Sequence, residues 1–174
     1  MSLAQRPEPS EHVPYYGRYI VLVPDGDVIA TLGTQIEETL ALLSSVSAEK
    51  SQHRYAPGKW SVRQLVGHVA DSERVFGYRA LAFARGDQTE LPGFDENDYA
   101  EASPAANRPL PDVVEDLAAV RRATLSLLRN LEPDAWSRAG KANASPVSVR
   151  ALAWIIAGHE RHHRQILRER YLGA

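Results

Sequence analysis

Apolar residues recur at intervals of three and four along four long stretches of the chain. This spacing is typical of amphipathic α-helices that turn one face toward a core. Helices of about 20 residues with one apolar face pack most simply as a four-helix bundle. The pattern therefore predicts an all-α four-helix bundle, with helices over residues 28–47, 61–84, 111–131 and a last stretch from Ser145 or Ser148 to about residue 172.

The segments outside these stretches carry weaker patterns. The first 25 residues are rich in Pro, Gly and Tyr and are interpreted as an irregular arm. Residues 19–23 resemble a strand, but no second strand-like run is available to pair with them, so an extended segment packed on the domain is expected. Residues 86–110 form a long predicted loop between the second and third helices, and loops of that length are often functional.

Local signals support the helix boundaries. Ser61 and Gln64 have the spacing of a capping box, and Gly86 is a stop signal. The run Ser-Val-Arg-Gln-Leu at 61–65 recurs as Ser-Val-Arg-Ala-Leu at 148–152, and each copy is followed by a Gly-His pair. The repeat hints at two related helical hairpins whose histidines come together.

Three histidines fall on the apolar stripes of two predicted helices. His159 and His163 are four residues apart and so share one face of the last helix, while His68 lies on the stripe of the second. A polar side chain in a core stripe costs stability unless it finds a partner. For His68 alone that partner could be a hydrogen bond, but three histidines converging on one region favour a shared divalent metal ion. His162 falls off the stripe and is predicted to lie at the surface or directly behind the metal ligands, without binding the ion itself.

Residues 159–163 also match the zinc-protease motif His-Glu-x-x-His letter for letter. A protease would need a substrate groove, usually lined by an edge strand. The pattern offers no such strand, so this alternative is not favoured.

Glu73 and Glu160 are the candidate general bases. Neither is plainly aimed at the metal, so surface ion pairs with Arg79 or Arg164 are the expected role of both, and orientation of a ligand histidine is a further alternative. Asp95, in the long loop, is a further candidate base.

Composition narrows the chemistry. The net charge of −2 gives no reason to expect nucleic acid or an anionic membrane as a partner. The absence of cysteine excludes disulfides, thiolate zinc sites and cysteine nucleophiles, so any thiol chemistry would need an external thiol. No apolar run approaches the ~20 residues that cross a membrane, and the N-terminus lacks the pattern of a signal peptide. We expect one cytoplasmic domain over residues 1–174.

Two segments resemble the DinB/YfiT-like superfamily of four-helix-bundle proteins: Lys59–His68, which opens the second helix, and Ala157–His163 in the last one. The resemblance covers nearly the whole chain. It implies a metal triad of one histidine from the second helix and a His-x-x-x-His pair from the last, which fall on His68, His159 and His163. It also implies a divalent ion such as zinc or nickel, and a homodimer. Some members are thiol S-transferases that use bacillithiol or mycothiol, and one is a maleylpyruvate isomerase.

The sequence therefore predicts a metal-dependent enzyme that acts on a small molecule, possessing an open metal position beside three imidazoles. It does not separate a thiol S-transferase, acting with a low-molecular-weight thiol, from a hydrolase. The alternative from another class is a non-catalytic metal-binding or stress-response module with a structural metal site.

Overall fold

Four long helices form the bundle that the periodicity predicts. The computed structural model describes residues 5–173 of the chain. The long helices are α2, α3, α5 and α6; α1 lies in the N-terminal arm and α4 in the long loop. Helix α2 packs against α5 and α6, and α3 packs against the same two helices. The helix bounds are α1 Pro14–Ile20, α2 Val28–Ser44, α3 Val62–Ala84, α4 Glu96–Ala102, α5 Leu110–Arg129 and α6 Val149–Ile166.

Capping side chains fix where the long helices begin. Ser61 accepts a hydrogen bond from the backbone N–H of Gln64, whose side chain accepts one from the Ser61 N–H, so the predicted capping box is confirmed. Ser148 caps α6, so the later of the two predicted starts is the observed one. Beyond α6, residues Leu167–Leu172 continue as a π-helical turn. In the described residues, no helix is long and apolar enough to cross a membrane.

The N-terminal arm differs from the prediction. Residues Pro14–Ile20 form α1 instead of an irregular or extended segment, with Pro14 in the first turn, where its missing N–H costs nothing. Tyr19 and Ile20 are buried, and α1 lies along α6. A seven-residue helix is too short to be stable alone, so this tertiary packing decides its conformation.

The connection between α5 and α6 holds a small sheet that the sequence pattern did not predict. Strands β1 (Ala139–Ala142) and β2 (Ser145–Ser148) pair antiparallel around a two-residue turn. Asn143 and Ala144 both have positive φ angles, which is the geometry of a type I′ hairpin turn. Ala142 also bridges to Leu91, so the hairpin tip rests on the long connection between α3 and α5. That connection is not a bare loop, because it contains α4 and a 3₁₀ turn over Pro104–Asn107.

Candidate metal centre

The structure brings together the three histidines that the sequence singled out. His68 on α3 faces His159 and His163 on the neighbouring helix α6. Nε2 of His159 lies 3.1 Å from Nε2 of His68 and 3.1 Å from Nε2 of His163. One nitrogen from each ring lies within 4.8 Å of the others. The side chains are buried, with 6% of His68, 6% of His159 and 9% of His163 exposed.

Burial keeps the three imidazoles neutral. It lowers the pKa of His68 to about 4 and lowers the pKa values of His159 and His163 well below their ordinary value. The neighbouring histidines and the Arg18 guanidinium act in the same direction on His159 and His163. Each ring therefore offers a lone pair at neutral pH, which is the form that binds metal.

The donor set fits a divalent ion better than it fits hydrogen bonding. The single Nε2 atom of His159 either donates one proton or accepts through one lone pair, so it satisfies only one of its two close neighbours well. Two nitrogens on a tetrahedral zinc-type ion, with bonds of about 2.0–2.1 Å, lie about 3.3 Å apart, close to the separations found here. His68, His159 and His163 are therefore able to hold one such ion.

Aromatic rings surround the three imidazoles. Trp60 packs against His68, with ring centroids 4.6 Å apart, and Tyr19 contacts His159 edge-on at 5.3 Å. Trp60 is only partly buried and covers His68 at the edge of the site, whereas Trp154 is fully buried in the core. This apolar shell restricts water and lowers the local dielectric around the three nitrogens.

A cavity of about 310 Å³ reaches His68 and His159. One wall is the face of α3 that carries His68, and another is α1. The hairpin tip at Asn143 and the residues around Phe94 also line it. The cavity gives a small molecule access to two of the three candidate ligands.

Glycines precede two of the histidines and allow close packing beside the site. A Cβ atom at Gly158 would lie 2.1 Å from the backbone oxygen of Tyr19, and one at Gly67 would lie 2.8 Å from Cβ of Ala105. The Gly-His pairs of the internal repeat thus have a physical reason, since each glycine lets a neighbouring segment approach the helix that carries a ligand.

Glu73 and Glu160 are not at the surface, so the surface ion pairs expected for them are wrong. Both are buried and share Arg121 of α5, whose guanidinium donates to Glu73 at 2.8 Å through two nitrogens and to Glu160 at 2.7 Å. Burial alone would lower the pKa of Arg121, but the two carboxylates raise it above its ordinary value. The expected partners lie elsewhere: Arg164 pairs with Glu38, and Arg79 donates to the carbonyl oxygen of Pro92.

Both carboxylate oxygens of Glu160 are engaged. Oε1 accepts from the hydroxyl of Thr39, and Oε2 accepts from Gln35 as well as from Arg121. A general base of the zinc-protease type would have to face the metal, so this arrangement speaks against the protease alternative. A catalytic role for Glu73 or Glu160 stays a prediction. Arg121 itself was missed, although it lies four residues after Leu117 and hence on the same helix face.

The remaining candidates lie apart from the three nitrogens. Asp95 caps α4, accepting from the N–H groups of Asn97 and Asp98, and is exposed. His162 is half-buried against Tyr19 and is not one of the converging ligands. In the described chain, Nδ1 of His163 has no hydrogen-bond partner, so neither glutamate orients that ring.

The fold and site together define a helical-bundle protein with a three-histidine centre between two adjacent helices. The sequence profile of the DinB superfamily matches residues 31–167, and the chain belongs to this superfamily. The predicted family and the predicted fold class are both confirmed.

Two relatives from Oceanobacillus iheyensis each bear the name "putative metal-dependent hydrolase". One is 28% identical over 137 residues, covering 78% of this chain and 76% of the relative. The other is 28% identical over 134 residues, covering 74% and 77%.

Two solved structures from Bacillus subtilis share the fold. YfiT, described as "a probable metal-dependent hydrolase with an unusual four-helix bundle topology", superposes with a TM-score of 0.68 at 18% identity, over 97% of this chain and 98% of YfiT. The DinB-like protein YjoA superposes with a TM-score of 0.59 at 19% identity, over 84% of this chain and 92% of YjoA.

Proposed function

We propose that this protein is a metal-dependent enzyme, most similar in activity to a hydrolase, that acts on a small molecule at His68, His159 and His163. The observation that carries the proposal is the convergence of three neutral imidazole nitrogens at the wall of a cavity. The names of the two Oceanobacillus relatives agree with it. When bound, a divalent ion would supply Lewis acidity, which polarises a carbonyl group or activates water at neutral pH.

The surroundings of the triad favour an enzyme over a structural metal site. A structural site is closed by its protein ligands, whereas a catalytic one leaves a position open toward substrate. Here the described residues place three candidate ligands together, and the cavity reaches two of them. Its volume of about 310 Å³ is at the lower end of small-molecule sites, so the substrate is small.

The protein's own groups would exclude water and position the substrate. Burial holds the imidazoles in the neutral form that coordinates metal, and the aromatic rings of Trp60 and Tyr19 shield them.

A thiol S-transferase is the second candidate, and with no cysteine in the chain it would need an external thiol. Imidazole ligands bind both zinc and nickel, and either ion is compatible with the three histidines. The homodimer and the cytoplasmic location stay predictions.

Metal stoichiometry tests the triad directly. The protein is loaded separately with zinc and with nickel, dialysed, and measured by elemental analysis. Wild type should retain about one ion per chain, and loss of one ligand should weaken binding by more than about 100-fold, since mutation of outer-shell partners alone costs 10- to 100-fold. The variants are His68→Ala, His159→Ala and His163→Ala, with His162→Ala as the control from the same helix. Full retention of metal by any triad variant would remove that residue from the site.

Turnover distinguishes the reactions. Metal-loaded protein is offered nitrophenyl esters and anilides without thiol, and an electrophilic arene with several low-molecular-weight thiols. Metal-dependent hydrolysis without thiol is the expected result. Turnover that requires a thiol would replace the hydrolase with the transferase, and no turnover in either assay would support the non-catalytic module.

A further inference from the structure

We propose that Arg79 forms a carboxylate-binding subsite in the cavity beside the three histidines. The inference rests on the proposed function and deepens it, because it assigns the substrate class: a small molecule that carries a carboxylate at some distance from its reactive bond.

Arg79 is a buried cation without an acidic partner. Three arginines are buried in the part of the chain that the structure describes. Arg121 pairs with two glutamates and Arg164 pairs with Glu38, but Arg79 forms no ion pair there. Only 3% of Arg79 is exposed, yet its side chain lines the cavity. One of its nitrogens, Nη2, donates to the backbone oxygen of Pro92 at 2.7 Å, which fixes the guanidinium in place.

An uncompensated buried charge is costly, and arginine does not escape the cost by losing its proton. Burial lowers the pKa of Arg79, but a guanidinium remains charged at neutral pH. The Tyr16 hydroxyl, which also lines the cavity, takes a further hydrogen bond from Arg79. Because a guanidinium carries five N–H donors, an anion that enters the cavity would still find a pre-positioned cation with N–H groups available. Glu96 lines the same cavity but is exposed and does not pair with Arg79.

The face of α3 that lines the cavity carries a candidate metal ligand at one end and a cation at the other. His68, Ser72, Phe76 and Arg79 follow one another at spacings of four, four and three residues, so they share this face. Ser72 Oγ is buried and has no hydrogen-bond partner among the described residues, which leaves it free to bind a polar group of the substrate. The ring of Phe76 then offers an apolar contact before the guanidinium is reached.

The spacing sets the length of the substrate. At 1.5 Å per residue, the Cα atoms of His68 and Arg79 are about 16 Å apart along the helix axis. The arginine side chain leans toward the helix N-terminus and shortens this span. A carboxylate on Arg79 is therefore several bonds away from the metal centre. One guanidinium in a cavity that also contains Glu96 favours a singly charged carboxylate over a doubly charged phosphate.

Calorimetric titration of zinc-loaded protein tests the subsite with two probes of equal size, 4-phenylbutyrate and the neutral 4-phenylbutanamide. We expect the carboxylate to bind about 10- to 100-fold more tightly than the amide, as one charge-assisted pair allows. Arg79→Gln should abolish this preference and Arg79→Lys should keep part of it. Arg85→Gln, at the exposed C-terminal end of the same helix, should leave the preference unchanged.

Three results would overturn the subsite. The first is equal affinity for the two probes. The second is a preference for the carboxylate that survives Arg79→Gln, which would mean that the carboxylate binds the metal. The third is tighter binding of phenyl phosphate than of 4-phenylbutyrate. If Arg79→Gln does not fold by circular dichroism, the wild-type comparison and Arg79→Lys still decide. The titration needs no turnover, so an inactive protein that prefers the carboxylate through Arg79 would refute the proposed function while leaving the subsite intact.

Discussion

Replacing Arg121 by methionine tests whether the buried charge network holds the bundle together. Arg121 is 1% exposed and lies where α2, α3, α5 and α6 meet. Its guanidinium donates to Glu73 through two nitrogens, to Glu160, and to the backbone oxygen of Leu32 at 3.0 Å. Methionine fills much of the same volume but carries no charge, so Arg121→Met leaves two buried carboxylates facing each other without a cation.

The expected loss of stability is large. Breaking a buried ion pair by removing one partner costs about 3–5 kcal/mol, because the remaining charge is desolvated and unpaired. Here two carboxylates lose the same partner, so the upper part of that range is expected. Domains are stable by only about 5–15 kcal/mol. For a chain of this size each kcal/mol corresponds to about 2–4 °C in melting temperature, so a loss of about 4–5 kcal/mol should lower the midpoint by roughly 8–20 °C.

Urea denaturation followed by circular dichroism measures the effect, with Arg122→Met as the matched control. Arg122 is the next residue on α5 but pairs with Glu115 in solvent, where the two side chains are 64% and 67% exposed. An exposed pair contributes little, so the control should lose less than about 0.5 kcal/mol. If Arg121→Met lost less than about 1 kcal/mol, with the slope of the transition unchanged, the network could not be what stabilises this junction.

Two further perturbations address the packing and the protonation of the metal site. Gly158→Ala should destabilise the protein by about 1–3 kcal/mol, because its Cβ would meet the Tyr19 backbone oxygen at 2.1 Å and displace α1. Gly33→Ala, in the middle of α2 with nothing within 4 Å of the added Cβ, should instead stabilise by up to about 1 kcal/mol, and equal melting temperatures for the two would contradict the close-approach argument. Metal-free protein should lose stability as pH falls from about 6.5 to about 4, since the folded state lowers the pKa of His68 to about 4 and the unfolded chain binds the extra proton. His68 alone accounts for roughly 3 kcal/mol of that loss, and a melting temperature constant between pH 7 and 5 in the presence of a chelator would show that the imidazoles are not buried as neutral groups.

The long helices and the triad were predictable because both depend on short-range periodicity. Twenty residues of three- and four-residue spacing identify a buried face, and a capping residue such as Ser61 fixes its start. A histidine on such a face must find a partner wherever the helix packs. Predicting that the three histidines meet therefore required only the assignment of each histidine to a helix face. The same argument excludes His162 from the metal ligands and includes His163.

The features that were missed depend on contacts between distant segments. Helix α1 and the hairpin of β1 and β2 are each too short to carry a periodic signal, and both are held by the surfaces they cover. Arg121 directly follows Val120, an apolar residue that the hydrophobic pattern places in the core in preference to a charged neighbour. In the structure Val120 is half-buried while Arg121 is buried, since only the arginine can neutralise the two glutamates.

Helix α6 explains why a literal His-Glu-x-x-His sequence need not define a protease. From Ala151 to Glu160 every residue of α6 is buried, so this part of the helix has no solvent face on which a polar side chain can remain unpaired. His159 and Glu160 differ by about 100° around the axis and therefore meet different neighbours. The histidine faces α3 and the cavity, while the glutamate faces the Arg121 guanidinium and the polar side chains of α2. Burial on all sides therefore places the histidines beside the cavity and the glutamate in an ion pair inside the bundle. On a helix with a solvent-exposed face, the glutamate of the same motif could instead face the metal and act as a base.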